Sequence, residues 1–285
     1  MKNVSNPFYF LHIPKTAGTS LSTFLETHYR KGKWLKADEI KDLLTFSQEE
    51  INSYQCFHGH FGTLLFSLLN KPITTITMLR DPLDQLISHI YFSKKLLYEH
   101  KVFYEHLSDE ELNLKNLLEN SSLEEIVENP ILNMHLSNLQ SRYLGCELNL
   151  DNVRNAPLKF PDVLTQQEKD MDMIVAKAKE RLDQMAIVGI TERFNDSCDL
   201  ICDFLNIKPP KIYPQLNVTP KQYKVKTSNN ISPELANKIR EINKYDMGVY
   251  EYGKKIFENQ MEIFEEKKAN NSSSLIPWIS KLFQR

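Results

Sequence analysis

Lys15-Thr16-Ala17-Gly18-Thr19-Ser20 puts one ammonium, three hydroxyls and a glycine into six consecutive residues. Ahead of it lies an apolar run, Phe8 to Ile13, which predicts a buried strand ended by Pro14. Behind it Leu21, Phe24 and Leu25 share one face of a predicted helix from about Thr19 to Tyr29. Strand, tight loop and helix N-terminus in that order form an anion site, because unpaired backbone N–H groups and the positive end of the helix dipole face the ligand. Lys15 adds a full charge, and Thr16, Thr19 and Ser20 add donors. The chemistry is that of cradling a phosphate-like group. It is not the usual nucleotide-triphosphatase loop, since the lysine precedes the glycine and Gly-x-x-x-x-Gly-Lys-[Ser/Thr] is missing.

Two other groups can act beside such a cradle. Thr74 to Leu79 is a β-branched strand running into Arg80-Asp81-Pro82, and the next helix carries Ser88. Pro82 suits a first helical turn, with Asp81 as its cap or a salt-bridge partner, and Ser88 lies about two turns beyond Arg80. His58-Gly59-His60 follows a second short apolar run. An imidazole has the unperturbed pKa nearest neutrality and suits the removal of a hydroxyl proton. Two histidines without a third ligand in range are weak evidence for a metal, and none is expected.

The elements that must hold these residues read as one α/β domain. Predicted strands are Phe8–Ile13, Tyr54–Phe57, Thr74–Leu79 and Ala186–Ile190. Two short helical patterns lie in residues 37–53, a long helix runs from Leu83 to about His106, and residues 107–145 are helical. Within the last stretch Ser121 and Glu124 form a capping box and Pro130 marks a break. Residues 146–165 read as a surface loop, Gln166 to Gln184 as a helix, and Thr191-Glu192-Arg193-Phe194 opens another helix to Asn206. Lys208 to Asn230 is a long loop, and helices return from Ser232 to about Lys268. Strands separated by helices predict a mostly parallel sheet between helical layers, with helical insertions and a helical C-terminus. Its ligands would sit beyond the C-terminal strand edges, where Lys15, His60 and Arg80 fall. Residues 1–268 form the expected domain; 269–285 read as a linker and a short apolar tail.

The chain has 285 residues, enough for a substantial core, and a net charge of −2 that gives no global field for nucleic acid. Cys56, Cys146, Cys198 and Cys202 lack metal spacing and require no oxidising compartment. No stretch approaches the roughly 20 apolar residues of a membrane span. In the tail, Leu275, Ile276, Trp278, Ile279, Leu282 and Phe283 place an apolar stripe beside Lys281 and Arg285, suited to a membrane surface, a partner or the domain itself.

The segment HIPKTAGTS resembles the 5′-phosphosulfate loop of sulfotransferases, most closely the carbohydrate branch of heparan sulfate 2-O- and 6-O-sulfotransferases and their bacterial relatives. The resemblance covers most of residues 8–230. It implies a three-layer P-loop-like fold and transfer of a sulfuryl group from 3′-phosphoadenosine 5′-phosphosulfate (PAPS) to a hydroxyl, expected to be on a carbohydrate. It assigns the 5′-phosphosulfate to Lys15, Thr16, Ala17, Gly18, Thr19 and Ser20, and the 3′-phosphate to Arg80 and Ser88. The 2-O-sulfotransferases carry a His-Gly-His segment in the same order, which makes His60 the expected base and His58 an alternative base or orienting neighbour. Lys15 would neutralise the departing phosphate. Asn138, Gln140, Arg142 and Leu144 match the family's Asn-x-Gln-x-Arg-x-Leu pattern, and Gln140 and Arg142 are candidates for the acceptor or ordinary helix-surface residues. Thr219 and Lys221, in the late loop, are candidates for closing over the nucleotide. One departure is Gln85, where the family usually has a second arginine. Animal members carry an N-terminal anchor, so a cytoplasmic, bacterial-type enzyme is expected here, touching a membrane at most peripherally. Release of the chain from such an anchor is the alternative. A P-loop-type kinase, or a nucleotide- or glycan-binding module without catalysis, remains as a rival function.

Overall fold

The computed structural model describes residues 7–28, 33–99, 109–155, 170–214 and 231–273. Four strands, β1 (Phe8–Leu11), β2 (Cys56–Gly59), β3 (Thr74–Leu79) and β4 (Ile187–Ile190), form one sheet in the order β2-β1-β3-β4. All its pairings are parallel, with Phe8 opposite both Cys56 and Thr74, and Ile76 opposite Ile187. A parallel strand covered on both faces must be apolar throughout, and every side chain of β1 is buried. The order reverses between β1 and β3, which opens a crevice at their C-terminal ends. The Lys15 turn leaves β1 there and Arg80 leaves β3.

Helices cover the sheet. α1 (Gly18–Glu26) leads from the cradle, α2 (Ile40–Leu43) and α3 (Gln48–Ser53) precede β2, and α4 (Leu64–Leu68) follows it. After β3 come α5 (Pro82–Glu99), α6 (Asp109–Asn120), α7 (Leu123–Glu128), α8 (Pro130–Leu136), α9 (Leu139–Gly145), α10 (Leu150–Asn155) and α11 (Met171–Asp183). Beyond β4 a 3₁₀ turn (Thr191–Arg193) leads to α12 (Phe194–Phe204), then α13 (Pro233–Ile242) and α14 (Lys244–Ser273). The main core lies around the sheet, and a second cluster joins Leu83, Leu86, Ile87 and Ile90 of α5 to Leu123 and Ile126 of α7 and to Leu235 and Ile239 of α13.

The architecture is the expected one, with local differences. β2 begins two residues later than its apolar run suggests, because Phe8 N donates to Gln55 O and the ladder starts at Cys56, which takes His58 and Gly59 into the strand. The capping box at α7 is Ser122 with Glu125, one residue later than expected. Pro130 begins α8 rather than merely breaking a helix, with Asn129 as cap. The 133–145 piece is interrupted at Asn138, whose φ of 53° is left-handed. Part of the expected 146–165 loop is α10, and α14 runs through Ser273 into the expected linker. All four cysteines are buried free thiols. Among the described residues no helix is long and apolar enough to cross a membrane.

Candidate active site

The turn after β1 is built for an anion. Lys15 and Ala17 both take positive φ, 67° and 63°, a conformation costing roughly 1–2 kcal/mol for a residue with a Cβ. Ala17 is the N-cap of α1 and supplies no side-chain acceptor to the first N–H groups of the helix. Gly18 is required by packing: a Cβ there would lie 1.9 Å from Nε2 of His12. A cavity of about 220 Å³ opens over the turn, lined by His12, Pro14, Lys15, Ala17, Gly18, Thr19, Ser20, His60, Arg80, Ser88, Phe92 and Thr191. Among the described residues its lining has two cations and no carboxylate. Burial lowers the Lys15 ammonium to about 8, with the positive charges of Arg80 and Lys95 adding to the effect. Nζ of Lys15 rests 4.0 Å from the centre of the Phe92 ring.

The arginine opposite is held through its guanidinium. Arg80 Nη1 donates to Lys15 O at 3.0 Å, so the ends of β1 and β3 are tied across the crevice. Asp81 caps α5, as expected, accepting from Leu83 N at 2.9 Å. Ser88 lies in the cavity lining with Arg80. Gln85, in place of the family's second arginine, is 3% exposed, and its Nε2 donates to Pro14 O at 2.9 Å. An uncharged amide therefore pins the start of the cradle.

Three histidines gather at the ends of β1 and β2. His60 lines the cavity, and its ring sits 4.3 Å from that of His12. Nδ1 of His60 is 3.0 Å from His12 O. A carbonyl can only accept, so Nδ1 carries the proton and Nε2 keeps a lone pair. Burial lowers His60 to about 4, partly offset by the His12 carbonyl and Asp38, so the ring is neutral at pH 7. Gly59, with φ 152°, separates His60 from His58. His58 is outside the lining, beside Trp34, with Asp38 and Glu26 oxygens 3.6 and 3.8 Å from its ring nitrogens. Burial lowers its pKa against the pull of those two acids.

Of the residues singled out from sequence, Lys15, Ala17, Gly18, Thr19, Ser20, His60, Arg80 and Ser88 meet around one cavity. Thr16 does not: it is fully buried and its hydroxyl donates to Ile13 O at 2.9 Å, bracing the turn from below. Gln140 and Arg142 are instead turned inward, 0% and 2% exposed, because α9 is buried along its whole length. Gln140 holds the main chain of Arg80, and Arg142 Nη1 donates to Met134 O at 2.6 Å. Thr219, Lys221 and the apolar tail lie outside the described residues. Sequence reasoning gave no role to Phe92 and Thr191, which line the cavity, or to His89, whose buried Nδ1 has no hydrogen-bond partner among the described residues. His12, whose place on the strand next to the loop reads as structural, lines the cavity too. The strand register puts His12 beside His60 once Phe10 pairs with His58.

A parallel sheet with a loop-and-helix anion cradle at its switch point, an arginine facing the cradle and a neutral histidine beside it defines a P-loop-like fold with a group-transfer site. The family model described as "Sulfotransferase family" matches residues 3–253, and the chain belongs to that family. It is a transferase of the sulfotransferase type. No curated protein matches the chain in a sequence comparison.

Proposed function

We propose that the protein transfers the sulfuryl group of PAPS to a hydroxyl of a carbohydrate acceptor. The observation that carries this reading is the cavity itself, where Lys15, the N-terminus of α1, Arg80 and Ser88 offer donors and no carboxylate lines it among the described residues. Such a lining fits a nucleotide with anionic groups at both its 5′ and 3′ ends. Lys15 and the N–H groups after Ala17 would hold the 5′-phosphosulfate; Arg80 and Ser88 would hold the 3′-phosphate. A carbohydrate acceptor, and kinship with the heparan sulfate branch, rest on the likeness of the HIPKTAGTS and His58-Gly59-His60 segments.

In the reaction His60 Nε2 takes the acceptor's hydroxyl proton as that oxygen bonds to sulfur. The bond from sulfur to the 5′-phosphate oxygen breaks, and its electron pair stays on the phosphate, where Lys15 neutralises it. The products are the sulfated acceptor and adenosine 3′,5′-bisphosphate, with the proton on His60. A pKa of about 4 makes free His60 a weak base, but an anion held beside it favours the protonated ring and raises that value.

Thermal unfolding tests the donor assignment, since a ligand of the folded state raises the melting temperature. Adenosine 3′,5′-bisphosphate should stabilise the protein well beyond adenosine 5′-phosphate or ATP. Equal stabilisation by all three removes the PAPS reading. Radiolabelled transfer to a panel of oligosaccharides then tests the acceptor class.

A further inference from the structure

β3 ends at Leu79 and α5 begins at Pro82, which leaves Arg80 and Asp81 as a two-residue hinge with no strand among the described residues alongside. Backbone groups at such a place need partners, and here they come from side chains. Arg80 N donates to Oε1 of Gln140 at 3.0 Å, and Nε2 of Gln140 donates to Arg80 O at 2.8 Å. One amide thus grips both polar groups of a single residue, as an antiparallel strand neighbour would. Asp81 N donates to Oε1 of Glu192 at 3.0 Å.

Both clamps are seated by α14, one turn apart. Asp246, 0% exposed, accepts from Gln140 N at 3.0 Å and from Ser141 N and Oγ at 2.6 Å each, fixing the first turn of α9. Tyr250 OH donates to Oε2 of Glu192 at 3.1 Å. Residues four apart lie on one helix face, so a single face of α14 orients two consecutive peptide units at the end of β3. The Arg80 guanidinium stands on that hinge, and its Nη1 already reaches across to Lys15 O.

We propose that Gln140 and Glu192, seated by Asp246 and Tyr250, are positioning residues that aim Arg80 at the nucleotide's 3′-phosphate. The inference rests on the assignment of Arg80 to that phosphate. A small rotation of the hinge is magnified at the end of the long arginine side chain, and a misplacement of about 1 Å can cost about 100-fold.

The test is calorimetric titration of the full chain with adenosine 3′,5′-bisphosphate and with adenosine 5′-phosphate. Gln140→Met should weaken the bisphosphate by about 10- to 100-fold and leave the monophosphate within about twofold. In an Arg80→Ala background it should add nothing, because residues acting through one group are not additive. Tyr250→Phe removes one oxygen and keeps the fold; it should show the same selectivity at about three- to fivefold, and it carries the test if Gln140→Met does not fold. Equal losses for both nucleotides, or an undiminished loss in the Arg80→Ala background, overturn the inference. So does a preference for the bisphosphate that is present in the wild type and unmoved by either variant. A wild type without any preference overturns the Arg80 assignment and this inference with it.

Discussion

Nucleotide binding should draw a proton onto Lys15. Burial, then Arg80 and Lys95, brings the free ammonium from 10.5 to about 8. A phosphate or phosphosulfate anion seated in the cradle favours the charged form and returns the pKa toward its ordinary value. At pH 8 the free protein has about half of its Lys15 protonated and the complex nearly all, so binding takes up about 0.5 proton. The share of Lys15 rises to about 0.9 at pH 9 and falls close to zero at pH 6.5. The sign follows from the state that binds more protons: affinity weakens as pH rises through 8, by about tenfold between pH 7 and 9. The same shift makes the unliganded protein gain stability between pH 8 and 10.5, where the unfolded chain holds the proton and the native one does not, by up to about 3 kcal/mol. The Phe92 ring, 4.0 Å from Nζ, acts in the opposite direction. A cation–π contact of about 0.5–1 kcal/mol raises the midpoint by about half a pH unit, and Phe92→Leu should remove that rise. Calorimetry with adenosine 3′,5′-bisphosphate in buffers of different ionisation enthalpy reads the proton count directly. Lys15→Arg, which does not titrate in this range, is the control. Uptake that persists unchanged in Lys15→Arg, or is absent from the wild type at pH 9, refutes the reasoning.

His60→Ala should lose about 100- to 10,000-fold in turnover on any identified acceptor with the bisphosphate's dissociation constant nearly unchanged; His58→Ala should cost less, and the reverse ranking would make His58 the base. Gly18→Ala should lower both stability and nucleotide affinity, since its Cβ meets the His12 ring at 1.9 Å; a melting temperature equal to wild type would count against the packing described. Ala17→Gly should stabilise the unliganded protein by about 1 kcal/mol by relieving the left-handed backbone, and chemical denaturation with no gain would show that the turn is not strained.

The cradle was legible in the sequence because its determinants are contiguous. A strand end, a lysine, small residues and a helix start impose their geometry within about ten residues, and unpaired N–H groups follow from helix formation alone. The Arg80 and Ser88 pair was legible for the same reason, being a strand end and the second turn of the next helix. The parallel sheet followed from apolar runs separated by helices, although the first and last residues of each strand did not, since partners across the ladder set them. β2 moved by two residues once Phe8 paired with Cys56.

What each side chain faces was decided only in three dimensions. Pattern and resemblance favour His60 but leave His58 as an alternative; the backbone at Gly59 and the bond from His60 to His12 O send one into the cavity and the other toward Asp38 and Glu26. Gln140 and Arg142 carry groups able to bind a sugar, and nothing local says that α9 is buried on all sides. The carboxylate that fixes Gln140, Asp246, stands 106 residues further along the chain. Local sequence determines which hydrogen-bonding groups a segment will leave over. Only the tertiary structure decides which distant side chains satisfy them, because that depends on helices from the far end of the chain packing against the sheet.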